Sequence, residues 1–174
     1  ARQQEAAAGM AEAAERYLRL KTAARLLQWS MERFRQTRQG PMLARASEIF
    51  QALTLGSFSR LLVDADSHDS PRLVSIRTDG NKPVEVPGLS EGTRDQLYLA
   101  LRLAALDQQA SQGRRMPLIA DDLFINFDDR RTAAGLQVLG NISRRMQVIL
   151  LTHHDHLVPL ARQVLGDGLN VIEL

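Results

Sequence analysis

Three short runs in this chain carry residue types that could do chemistry. The first is LSEGTRDQ, residues 89–96. It follows a Pro-Gly break and opens a long apolar-rich stretch that reads as a helix. Backbone N–H groups at a helix start, the hydroxyls of Ser90 and Thr93, and a Gly92 that lets a ligand approach would make an anion site. The same residues also suit plain helix capping by Ser90 or Thr93. The second run is PLIADDLFINFDD, residues 117–129, in which Asp121 and Asp122 end an apolar strand. Carboxylates at the carboxyl end of a parallel strand sit where α/β sheets bind ligands. Asp121 would hold Mg²⁺ through water, and Asp122 would orient or deprotonate an attacking water. A polar loop after a core strand is the plainer alternative. The third run is Thr152-His153-His154, again at a strand's end. A histidine there could hydrogen-bond a terminal phosphate, or it could be ordinary surface, as the nearby His156 suggests. Metal binding by the pair is the weaker reading, because residues one apart cannot share a helix face.

The elements that must position these runs are legible from periodicity. Ala6, Met10, Ala13, Tyr17, Leu20, Ala24, Leu27, Met31 and Phe34 alternate steps of four and three. That spacing is a heptad seam and predicts a coiled-coil arm over residues 1–39. Gly40-Pro41 breaks it, and Leu43, Ala46, Phe50 and Leu53 mark one face of a second helix capped by Gly56. Residues 57–64, 72–78 and 84–86 read as strands, with Asp79-Gly80 turning between the last two. Residues 64–71 read as a polar loop. A buried helix is expected over about 93–110, then a strand at 116–120, a helix at 130–143 and a strand at 147–151. Another helix and a final strand at 169–174 complete the reading. Strand-helix-strand spacing implies a parallel sheet with a right-handed crossover.

Bulk properties limit the alternatives. The hydrophobic content of 44% suits an ordinary globular domain, and a formal charge of +2 is too small to argue for nucleic acid. Without cysteine there is no disulfide framework and no thiolate zinc site, which permits a cytosolic address. No apolar run approaches the roughly 18 residues of a membrane span, so no membrane partner is expected. The chain opens inside a periodic helix without Met, as a piece cut from something longer would.

Taken in order, signature-like loop, acidic strand end and histidine strand end resemble the C-terminal lobe of the SMC-like branch of ABC ATPases. That branch includes the RecF and RecN repair proteins and the ATPase subunit of the SbcCD-type nuclease complex. The stretch LSEGTRDQLYLALRLAAL is similar to the signature segment of YhaN-like ATPases. The resemblance implies an α/β fold: parallel strands flanked by helices, a small antiparallel β segment and an N-terminal coiled-coil helix. It divides the chain into an arm stub, 1–39, and a head lobe, 40–174.

It also implies roles. Ser90 and Gly92, with Glu91 and Thr93 in the same loop, would meet the γ-phosphate of ATP held on the opposite protomer, so the site forms only across a head–head homodimer. Asp121 would be the Walker B aspartate and metal ligand. Asp122 would be the catalytic base, standing where the family more often has glutamate. Asp128 falls at the D-loop aspartate, and His153 at the switch histidine, with His154 as the second choice. Glu91 replaces the glycine of the commoner LSGG form. No GxxxxGK[ST] occurs in the 174 residues, so nothing here would cradle the β- and γ-phosphates. An N-terminal Walker A lobe of the same protein would have to supply that loop, and the lobe alone would be inactive. ATP and Mg²⁺ are the implied cofactors. DNA and a nuclease subunit are the implied partners, in a cytoplasmic, nucleoid-associated setting, with double-strand-break repair or chromosome maintenance as the role. The competing expectation is a non-catalytic coiled-coil scaffold with a degenerate head. A transporter subunit fits poorly, because a three-stranded segment rather than a helical insertion precedes the signature.

Overall fold

The computed structural model describes residues 2–38, 40–64, 72–114 and 116–173. The loop expected at 64–71 falls largely outside them. The chain divides into two units, Ala1–Pro41 and Met42–Leu174.

The first unit is dominated by one uninterrupted helix, α1, Arg2–Arg38. The run is rich in Ala, Leu, Arg, Gln and Glu, all strong helix formers, and Gly9 is its one weak position. Its heptad positions Met10, Tyr17, Leu20, Leu27, Met31 and Phe34 are all exposed, as are Leu18, Leu26 and Trp29. The side chain of Ala6, the first seam position, lies outside the described residues.

Helix α2 (Gly40–Leu53), whose residues from Met42 on belong to the second unit, buries Ala46, Ile49, Phe50 and Leu53. It ends where Leu55 and Gly56 take positive φ and the Gly56 N–H reaches back to the Gln51 carbonyl at 2.8 Å. This is the left-handed termination that glycine adopts without a Cβ clash. Next comes an antiparallel sheet of β1 (Phe58–Asp64), β2 (Arg72–Arg77) and β3 (Pro83–Glu85), with β2 in the middle. The Arg77 N–H bonds the Lys82 carbonyl at 2.9 Å, closing the turn around Asp79-Gly80, and Gly80 and Asn81 take positive φ. Two contacts fasten α2 to β1. The Leu61 N–H donates to Ser47 Oγ at 2.9 Å, and the Phe50 and Phe58 rings pack 5.1 Å apart.

The long helix α3 (Glu91–Ser111) buries Leu97, Leu99, Ala100, Leu103, Ala104 and Ala110. It also buries Asp107, which accepts from Arg45 Nε of α2 at 2.8 Å and from an Arg145 guanidinium nitrogen at 2.7 Å. Buried polar groups need hydrogen-bond partners, and through these Asp107 ties α2 and the residue just past the C-cap of the next helix to α3.

Beyond α3 lies a two-stranded parallel sheet, β4 (Leu118–Asp121) against β5 (Val148–Leu151), joined by α4 (Asp129–Ser143). Ala120 is buried on one side, while Ile119, Ile149 and Leu151 are exposed on the other. A last helix, α5 (Leu157–Leu165), runs into a 3₁₀ turn at Gly166–Gly168. The strand expected at 169–174 does not form over the described residues 169–173. An apolar segment becomes a strand only by pairing, and this one joins neither sheet. No helix among the described residues is long and apolar enough to cross a membrane.

Candidate active site at the ends of two parallel strands

The acidic and histidine runs meet because β4 and β5 lie side by side in register, with Asp121 opposite Leu151. Their chains leave the sheet at the same end. The Asp122 N–H extends the ladder by donating to the Leu151 carbonyl at 3.0 Å. Asp122 then turns at φ 45°, a left-handed conformation that a short polar side chain tolerates better than most. This turn brings its carboxylate to the other strand's exit, where His153 Nδ1 lies 2.8 Å from Asp122 Oδ2. The Thr152 hydroxyl accepts from the His154 N–H at 3.2 Å, and the rings of His153 and His154 stack at 4.1 Å.

Electrostatics at Asp122 follow from these contacts. Partial burial alone would raise its pKa. The charge and hydrogen bond of His153, the Thr152 hydroxyl and the His153 backbone N–H outweigh that and hold the carboxyl below its ordinary value. Any stability this lends is complete above the ordinary carboxylate range and is lost as pH falls through the lowered value.

The loop after Asp122 is pinned at both ends. Phe124 is buried, packs edge-on against Phe127 at 5.5 Å, and sits over Gly135 of α4. Asp128 N-caps α4, its Oδ1 accepting from the Arg131 N–H at 2.9 Å. Between them Asn126 Nδ2 donates to Asp95 Oδ2 at 2.9 Å, tying the loop to α3.

The signature residues occupy the N-terminus of α3. Ser90 is the N-cap, accepting from the Thr93 N–H at 3.4 Å and sharing a 2.8 Å hydroxyl pair with Thr93. Glu91 is exposed in the first turn, where a negative charge favours the helix dipole. Gly92 has neither positive φ nor a crowded Cα: an added Cβ would meet only the Asn126 carbonyl, at 3.5 Å. Replacing the cap, Ser90→Ala, is expected to cost about 1 kcal/mol, read as a lower denaturation midpoint of the chain alone.

The structure brings Asp122 to His153, two residues singled out separately in the sequence, and sets Ser90 beside Thr93 in one helix cap. Asp121 is exposed at the end of β4 and has no described part in the Asp122 cluster. Three features had no clear sequence signal. These are the Asp95–Asn126 tie, the Asp107 bridge, and the approach of His154 to Asp122 and His153. The objection to a shared ion rested on helix geometry, whereas residues 152–154 follow β5 in non-helical backbone.

An antiparallel β segment, a long signature helix, and a parallel strand pair with acid and histidine at its ends together make one recognisable unit. By sequence and fold it belongs with SMC-like ABC-type ATPase heads. No protein-family model matches the chain. Over 147 residues it is 29% identical to the uncharacterized protein YhaN of Bacillus subtilis (strain 168), covering 83% of this chain and 15% of that protein. Over 121 residues it is 33% identical to the DNA double-strand break repair Rad50 ATPase of Pyrococcus abyssi, covering 69% of this chain and 13% of that protein. The chain therefore spans a small part of these relatives. In fold it is similar to a solved SMC ATPase studied for ATP-driven dimerization and DNA stimulated activation (TM-score 0.58, 20% identity, 75% of this chain and 77% of that one). It is likewise similar to the SMC head domain from Thermotoga maritima (TM-score 0.52, 16% identity, 80% and 45%).

Proposed function

We propose that this lobe is half of an ATP-hydrolysing head that closes around ATP as a head–head dimer. The observation that carries this reading is the pairing of Asp122 with His153 at the ends of two parallel strands, 2.8 Å apart. Asp122 is the base for the attacking water. Its Oδ2 is held by His153 Nδ1, while Oδ1 is buried without a hydrogen-bond partner of normal geometry among the described residues. A phosphate that drew His153 away would release Oδ2 for the water, so the histidine couples nucleotide to base. Asp121, an exposed oxygen donor at the strand end, fits a hydrated Mg²⁺. When bound, that ion would neutralise charge on the phosphate oxygens. Asp128 keeps the loop in place as the cap of α4 and lies at the dimer-facing D-loop position.

Gly92 supports the clamp. Neither backbone conformation nor packing among the described residues calls for glycine there, which favours close approach by a ligand as its use. Ser90, Glu91 and Thr93 complete that loop against the γ-phosphate of the opposite protomer. The exposed Ile119, Ile149 and Leu151 support a missing lobe. Parallel sheets are ordinarily covered on both faces, and a lobe carrying GxxxxGK[ST] would cover this one. The exposed seam of α1 supports a coiled-coil arm over 1–39, with 40–174 as the head lobe. DNA and a nuclease subunit are the partners we infer, in double-strand-break repair or chromosome maintenance in the cytoplasm.

The test is Gly92→Ala in an assembly of this lobe with a P-loop lobe. Thermal stability should be unchanged or slightly higher, since alanine is the better helix former by about 1 kcal/mol. ATP-driven dimerisation, measured by light scattering, should be lost. Dimerisation as strong as in the parent would count against a phosphate clamp at Gly92.

A further inference from the structure

Asp122, His153 and His154 form a closer group than the base-and-switch reading requires. A carboxylate oxygen of Asp122 and one ring nitrogen from each histidine all lie within 4.8 Å of one another. Within this group Asp122 Oδ1 and His154 Nε2 are buried, and among the described residues neither has a hydrogen-bond partner of normal geometry. Buried polar atoms are nearly always satisfied, and those that are not call for an explanation. The contacts of His154 do not provide one. Its backbone N–H is taken by Thr152, and its ring only stacks, on His153 at 4.1 Å and beside His156 at 5.6 Å.

We propose that Asp122, His153 and His154 form a binding site for a transition-metal dication of the zinc class, with a fourth position open. Two imidazoles and a carboxylate are a donor set that such borderline ions accept, and three protein ligands with one open position is a common zinc arrangement. Magnesium, a hard ion that wants oxygens, is excluded by the two nitrogens. Bond lengths near 2.0–2.2 Å put tetrahedral ligands roughly 3.3–3.6 Å apart, so the group closes by side-chain rotations of about 1 Å. The backbone is already held by the Asp122–Leu151 hydrogen bond. The ion replaces the hydrogen bond between His153 Nδ1 and Asp122 and meets the unpartnered Nε2 of His154. Given that Asp122 is the base, which rests on the function proposed above, an ion here also switches hydrolysis off while the nucleotide clamp stays intact.

Titration of the chain alone with ZnCl₂, followed by calorimetry, tests the site without ATP. One ion per chain is expected. His154→Gln and Asp122→Asn should each weaken binding at least about tenfold, while His156→Gln binds as the parent does. Thermal melts check that each variant is folded. CoCl₂ on the unaltered chain should give the visible bands of a four-coordinate nitrogen–oxygen site, a readout that needs no variant. Absence of stoichiometric binding, full binding by His154→Gln, or displacement of zinc by millimolar MgCl₂ would overturn the proposal. Because no nucleotide is present, a negative result here leaves the hydrolysis reading standing, and loss of that reading leaves the metal site standing.

Discussion

Asp122→Asn, in an assembly with a P-loop lobe, is expected to lower ATP hydrolysis by about 10²–10⁴-fold while ATP-driven association persists. The substitution separates chemistry from structure. Asn tolerates the left-handed φ of 45° about as well as Asp does. Its amide oxygen can still accept from His153 Nδ1 across the present 2.8 Å. The N–H bond to the Leu151 carbonyl is a backbone contact that the substitution leaves alone. What disappears is the lone pair basic enough to take a proton from water. Steady-state phosphate release gives the rate, and light scattering with ATP gives the association. Hydrolysis at the parent rate would overturn Asp122 as base and favour the coiled-coil scaffold in which the head only dimerises.

Gly135→Ala should destabilise the chain by about 1–3 kcal/mol, a fall in melting temperature of several degrees. A Cβ at this position would lie 2.4 Å from Phe124 Cε1 and 2.9 Å from Cζ. That ring is buried and wedged against Phe127, so it can yield only by shifting the loop that leaves Asp122. The internal control is Gly140→Ala on the same helix. Its Cβ would meet Leu165 Cδ2 at 2.5 Å, but that atom is the end of a flexible side chain able to turn aside. The gain in helix propensity, about 1 kcal/mol, then offsets much of the cost. A thermal melt of the two variants side by side reads the contrast, and equal effects would refute the wedge. If Gly135→Ala also slows hydrolysis in the two-lobe assembly, the Phe124 anchor contributes to placing Asp122.

Most elements were legible because their signals are local. The four-and-three spacing from Met10 to Phe34 belongs to α1, Gly56 and Asp79-Gly80 turn the chain where glycine is needed, and Ser90 caps α3. Ile49 escaped the α2 face, since a list of apolar positions does not say how wide the buried stripe will be. The strand expected at 169–174 failed for the opposite reason. Its apolar pattern is local, but a strand exists only with a neighbour, and pairing is a tertiary property.

The site divides along the same line. By itself the sequence determined which residues could do chemistry: Ser90 and Gly92 at a helix start, Asp121 and Asp122 after one strand, His153 and His154 after the next. Residue type and strand-end position suffice for that. Only the tertiary structure decided which of them meet. Parallel pairing of β4 with β5 brings residues 31 apart to 2.8 Å, and the turn at Asp122 selects that carboxylate rather than Asp121 to face the histidines. Capping likewise assigned the Asp128 carboxylate to the N-terminus of α4. Distances between side chains from separate strands are set by register and packing, and neither is encoded at any single position.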